Sequence, residues 1–156
     1  MEVCGKNELK VDPKGRVFLP RHWLESFNPD TGKTETLTSF WLTPGLEGCL
    51  WLLDHPEFRR MQRRLKSMEV GDARLRRAQR YFYESSEQLR LDAQGRILIP
   101  RPQLDAAAIK GEVLLLGLSR RIEIWAPDRF AAEKAASAGD VVKDLESILS
   151  GDVGTP

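Results

Sequence analysis

With 156 residues, 41% of them apolar, and a formal charge of +1, the chain can build one folded domain or two small intertwined ones. Nothing in it is collagen-like, low-complexity or compositionally disordered apart from a short polar end at 151–156, and no apolar run approaches the roughly 18 residues that span a bilayer. Cys4 and Cys49 are too few for a disulfide framework and residues 1–6 lack the pattern of a secretory signal, so a reducing, cytoplasmic setting without a membrane partner is expected.

The first elements surround residues 9–21, Leu-Lys-Val-Asp-Pro-Lys-Gly-Arg-Val-Phe-Leu-Pro-Arg. Asp12 suits the first position of a type I turn, Pro13 the second, and Gly15 the place where a positive φ is needed. Extended residues at 8–11 and 16–19 on either side predict a tight hairpin. Pro20 ends the return strand and opens a short helix. Residues 28–36, rich in Pro, Gly, Asp and Thr, read as an insertion. Two apolar strands follow at 39–43 and 49–53, joined through Pro44 and Gly45. Pro56 and Phe58 mark a helix start.

Residues 59–80 carry nine Lys or Arg against Glu69 and Asp72, whereas 126–156 carry three bases and six acids. A local positive field on a nearly neutral protein is one reading of the basic segment. The plainer one is the solvated faces of two helices.

Residues 89–101, Leu-Arg-Leu-Asp-Ala-Gln-Gly-Arg-Ile-Leu-Ile-Pro-Arg, then repeat 9–21 with six of thirteen positions identical, among them Asp12/Asp92, Gly15/Gly95, Arg16/Arg96 and Arg21/Arg101. Further strands are expected at 112–118 and 122–125, and a helix from Pro127 and Phe130. Residues 140–149 place apolar side chains at 141, 142, 145, 148 and 149, the spacing of an amphipathic helix that docks on the chain itself or on a partner, self-docking being the commoner outcome. The predicted layout is a first module (6–55), a basic helical connector (56–83), a second module (84–127) and a C-terminal helix with its tail (128–156). The return strands, Val17-Phe18-Leu19 and Ile97-Leu98-Ile99, are apolar on both faces, which suits a closed, interleaved sheet. One module alone would leave unpaired strand edges, and two can close a barrel between them.

These motifs, in this order and over nearly the whole chain, resemble the MraZ family of bacterial transcriptional regulators, built from two SpoVT-AbrB-type modules. The resemblance rests on the paired Asp-x-x-x-Arg turns (Asp12 to Arg16, Asp92 to Arg96), on Gly48-Cys49-Leu50, on the arginine-rich helices ending Gln79-Arg80-Tyr81-Phe82, and on Arg121-Ile122-Glu123-Ile124-Trp125. It implies an α+β fold, mainly β, in which two swapped-hairpin modules form an intrachain pseudo-dimeric, double-ψ-like barrel flanked by helices. It further implies a ring-shaped homo-oligomer associated with the nucleoid. Such a ring would bind short direct repeats upstream of its own gene and repress a division and cell-wall cluster, without catalysis. One departure stands out: where the family commonly has Arg four positions after each Pro, this chain has Leu24 and Leu104, and an Arg directly follows each Pro instead.

Arg16 and Arg96 are the first candidates for DNA contact, because a guanidinium leaving a tight turn can read guanine bidentately or clamp phosphate. Each can alternatively brace its turn by pairing with Asp12 or Asp92, and both roles are compatible. Asp12, Gly15, Asp92 and Gly95 are expected to be structural. Lys14 and Gln94 occupy matching turn tips, Lys suiting phosphate and Gln suiting adenine, with plain solvation as the alternative. Arg21 and Arg101 are candidate phosphate contacts, with plain surface residues as the alternative. His22, His55, Cys4 and Cys49 fit no catalytic or zinc spacing, so neither enzyme activity nor a cofactor or metal is expected. Trp23, Trp41, Trp51 and Trp125 lie in or beside apolar segments and are expected in the core. The rival reading is an interaction or antitoxin-type protein in which DNA binding is secondary.

Overall fold

A computed structural model describes residues 1–28, 30–66 and 71–151. Pro29 of the 28–36 insertion, Glu69 of the basic segment and most of the polar end (152–156) lie outside the described residues. The strands are β1 (Val3–Lys10), β2 (Arg16–Phe18), β3 (Glu25–Asn28), β4 (Lys33–Thr36), β5 (Ser39–Pro44), β6 (Leu50–Leu53), β7 (Glu87–Arg90), β8 (Arg96–Leu98), β9 (Glu112–Ser119) and β10 (Arg121–Trp125). The helices are α1 (His55–Lys66), α2 (Ala73–Glu84), α3 (Arg101–Ala106), α4 (Pro127–Ser137) and α5 (Val141–Ser150), with one turn of 3-10 helix at Arg21–Trp23. Among the described residues no helix is long and apolar enough to cross a membrane.

The principal sheet is antiparallel and six-stranded, in the order β1-β9-β10-β6-β5-β7. Exchanging the two copies leaves that order unchanged: the first strand of each copy lies at an edge, bonded to what is, leaving out the β3–β4 hairpin, the third strand of the other. This corrects the expected hairpin. The arms around Asp12–Gly15 do not form a ladder with each other; β1 pairs with β9, and β2 pairs with β8 in a separate two-stranded ribbon. The same holds for the second copy, where β7 pairs with β5. The turns themselves are as expected, closed by Gly15 N–H to the Asp12 carbonyl (2.9 Å) and by Gly95 N–H to the Asp92 carbonyl (3.0 Å).

Strand alternation divides the buried side chains between the two faces of the sheet. On one face Leu50, Leu52, Val113, Leu115, Ile122 and Ile124 join Val17 and Ile97 of the ribbon in the largest core cluster. On the other, Leu53 meets Phe58 of α1 and Phe82 of α2, and Leu114 and Trp125 meet Phe130 of α4. Trp23 and Trp125 are buried, and the half-buried Trp41 stacks on Phe58 at 4.0 Å between centroids, in keeping with core roles. Pro20 and Pro100 precede the 3-10 turn and α3, as their fixed φ favours.

One local expectation gains detail and two change. The 28–36 insertion is the outer part of an exposed hairpin, β3 with β4. The ribbon strands are not apolar-buried on both faces, since Phe18 and Leu98 are 52% and 54% exposed. Finally, α5 has the expected apolar stripe but does not dock on the chain, for Val141, Val142, Leu145, Ile148 and Leu149 are all exposed.

Candidate nucleic-acid interface

The ribbon is built by two copies of one turn. Asp12 accepts three bonds: Oδ1 from the backbone N–H of Lys14 and of Arg16 (both 2.9 Å), and Oδ2 from Arg16 Nε (2.6 Å). Asp92 repeats the pattern with Gln94 N–H (3.0 Å), Arg96 N–H (2.9 Å) and Arg96 Nε (2.7 Å). A short carboxylate one turn before the arginine therefore holds both the loop backbone and the guanidinium plane. The Arg16 backbone N–H, with help from the Arg16 guanidinium, keeps the Asp12 carboxyl below its ordinary 3.8. At Asp92 partial desolvation pushes upward, but the bonds from Arg96 and Gln94 outweigh it and the net shift is downward.

Gly15 and Gly95 have φ of +88° and +81°, the left-handed region that a tight return demands. Their carbonyls then cross between copies. Ile99 N–H donates to the Gly15 carbonyl at 2.9 Å, and Leu19 N–H donates to the Gly95 carbonyl at 3.1 Å. Each turn is thus clamped by the return strand of the other copy.

Across the ribbon Arg16 faces Leu98, Val17 faces Ile97 and Phe18 faces Arg96. Val17 and Ile97 point into the core, so Arg16, Phe18, Arg96 and Leu98 form the outward face, with the Arg96 guanidinium 5.6 Å from the Phe18 ring centroid. Such a ribbon, with guanidinium groups on its solvent side, is of a size that enters a major groove. Bracing does not use up the guanidinium groups, because only Nε is committed to the aspartate in each.

Grooves run beside the two turns. One is lined by Asp12, Lys14, Arg101, Asp105 and Lys110, the other by Phe18, Arg21, Glu25, Asp92 and Gln94. Each turn therefore neighbours the residues that follow the proline of the opposite copy. All six candidate contact residues lie on or beside the ribbon. Arg101 pairs with Asp105 at 3.0 Å, whereas Arg21 and Lys14 have no side-chain partner among the described residues. Leu24 and Leu104, four positions after Pro20 and Pro100, are buried in the main core.

Sequence reasoning missed Phe18, Leu98 and Lys110. The first two were legible in principle, since any strand with Val17 inward turns its neighbour outward. Lys110 is brought in only by the fold. The arginines of α1 and α2 are outside this site, on the opposite face of the sheet, with Arg59, Arg63, Lys66, Arg77 and Arg80 exposed. Among the described residues no three His, Cys, Asp or Glu side chains converge as a metal site. Cys49 is buried, and desolvation with the nearby Glu123 and Glu47 pushes its thiol up to about 12.

Comparison with known proteins agrees with this repeat. Residues 3–81 and 82–142 each match the family described as "MraZ protein, putative antitoxin-like". A protein of Pelotomaculum thermopropionicum named transcriptional regulator MraZ is 32% identical over 150 residues, 96% of this chain and 97% of the relative. Proteins of the same name from Heliobacterium modesticaldum and Deinococcus radiodurans are each 33% identical, over 90% and 85% of this chain and 93% and 87% of their own lengths. A duplicated Asp-x-x-x-Arg turn, a two-part match and relatives matched over most of their length agree: the chain belongs to the MraZ family.

Proposed function

We propose that this protein is a non-catalytic transcriptional regulator that binds duplex DNA through the β2–β8 ribbon. The observation that carries the reading is the pair of braced arginines on one rigid, solvent-facing ribbon, each aimed by its own aspartate. Arg16 and Arg96 contact base edges or phosphates, Lys14, Gln94, Arg21 and Arg101 add contacts at the turn tips and flanks, and Asp12, Gly15, Asp92 and Gly95 hold the geometry. The crossed strand pairing supports a swapped-hairpin pseudo-dimer closing as a barrel, with modules at 6–55 and 84–127 joined by the basic connector 56–83 and followed by 128–156.

The target, by analogy with the regulators it resembles, is a set of short direct repeats upstream of its own gene and the division and cell-wall cluster, with repression as the outcome, in the cytoplasm and at the nucleoid. A homo-oligomeric ring supplies affinity by multiplying weak contacts. The test is fluorescence anisotropy with duplexes from that upstream region against scrambled duplexes at two salt concentrations. The chain should bind selectively and salt-dependently. The Arg16→Ala/Arg96→Ala variant should lose selectivity while its oligomeric state is unchanged. Equal affinity of the unaltered chain for upstream and scrambled duplexes would sink the reading.

One observation favours the second reading, a protein-interaction or antitoxin-type role. The apolar stripe of α5 is exposed along its length, as in a helix that meets another protein. Binding that follows salt but ignores sequence is the result that would favour it.

A further inference from the structure

The two halves of the ribbon share a backbone plan but not a charge plan. Around the first turn Lys14 is unpaired and exposed, and Arg16 commits only Nε, to Asp12. Around the second turn the matching tip is neutral Gln94, and its Oε1 accepts from Arg96 Nη2 at 3.1 Å. Arg96 is also packed against Phe18, while the equivalent partner of Arg16 is aliphatic Leu98. The result shows in exposure: the Arg16 side chain is 33% accessible and that of Arg96 19%.

The grooves extend the difference. Lys110 precedes Gly111, whose carbonyl accepts from Val11 N–H; in the other half Leu37 precedes Thr38, whose carbonyl accepts from Leu91 N–H. The first groove therefore holds Lys14, Arg101 and Lys110 against Asp12 and Asp105. The second holds Arg21 against Glu25 and Asp92. With the turn arginines included, the first half is net positive and the second is neutral.

We propose that the ribbon is an electrically one-sided reading head. The half around the first turn, through Lys14, Arg16 and Lys110, supplies the phosphate-dependent affinity. The half around the second turn, neutral as a whole, holds Arg96 as a fixed alignment element. Gln94 sets this division at the turn, by capping Arg96 and by leaving its tip uncharged, and Leu37 in the place of Lys110 sets it in the groove. The inference rests on the ribbon being the DNA-contacting surface. It goes beyond that reading in assigning unequal work to two turns of the same sequence pattern.

The test uses the full chain and the same fluorescein-labelled upstream duplex, with thermal melts and size exclusion on each variant. Lys14→Gln should weaken binding about 3–10-fold near 0.1 M salt and reduce the slope of log affinity against log salt by about one, the amount of one lost phosphate contact. Gln94→Ala removes an uncharged contact, so it should weaken binding less than Lys14→Gln and leave the salt slope unchanged, and Gln94→Lys should tighten binding and steepen the slope by about one. Arg16→Ala should cost several-fold more than Arg96→Ala. Lys14 and Gln94 sit at exposed tips and brace the turns through backbone N–H groups that any side chain retains, so their replacements keep the fold even where an arginine variant does not. Equal losses from Lys14→Gln and Gln94→Ala, with no change of slope, overturn the one-sided head alone. Absence of salt-dependent binding by the unaltered chain overturns the DNA reading as well.

Discussion

At the scale of single residues, the two aspartates are the hinge of the site. Both carboxyls are held below 3.8, so the bonds they accept contribute stability that is fully present above the unfolded value and is lost as pH falls through the lower folded one. Thermal melts should therefore show a midpoint that is flat above pH ~5 and drops below pH ~4, and Asp12→Asn/Asp92→Asn should have a lower midpoint near neutrality and a shallower acid limb. An acid limb of unchanged depth in that variant would remove the aspartates from the account. These residues were legible because a turn of Asp, two residues and Gly has few alternatives. The partner of each turn was not legible. The local chemistry of Asp12 to Arg16 is the same whether the arms pair with each other or with a second copy, and only the register between distant strands decides. Phe18 and Leu98 were misread for the same reason. An apolar residue on a short ribbon looks like core until the inward position, Val17 or Ile97, is known.

At the scale of elements, the turns test their own inequality. Alanine at Gly95 meets open space but must adopt a positive φ, a cost of about 1–2 kcal/mol. Alanine at Gly15 bears the same backbone cost, and its Cβ would also lie 2.7 Å from the Ile99 carbonyl oxygen and 3.1 Å from Leu104 Cδ1. The neighbour is backbone in a clamped strand, so overpacking adds a further ~1–3 kcal/mol. Urea unfolding should rank Gly15→Ala as clearly more destabilising than Gly95→Ala; equal values would mean that the Gly15 carbonyl clamp yields freely. Leu104 also explains why a leucine suits its position in this chain, because the site beneath the first turn is apolar and closed. The helix α5 shows the limit of pattern reading. Its spacing marked an apolar stripe, but a period of 3.6 carries no information about what lies opposite.

At the scale of the whole molecule, the crossed pairing makes each half incomplete. Without the second copy, β1 and β5 would each lack a strand neighbour and Val17 would lose its opposite number, Ile97. Residues 1–84 or 85–156 expressed alone should show little cooperative unfolding, whereas co-expressed halves should co-purify and melt as one unit. Halves that each fold and melt independently would contradict the strand exchange. The order of the principal sheet has a kinetic consequence as well. Joining of the two halves, which for separate chains would be a second-order encounter that fails on dilution, occurs here within one polypeptide, where the tether holds the partners at an effective concentration of order millimolar. The β2–β8 ribbon is therefore complete in every newly folded chain, even when only a few copies are present, and under the proposed function any dependence on protein abundance is left to the assembly of chains with one another.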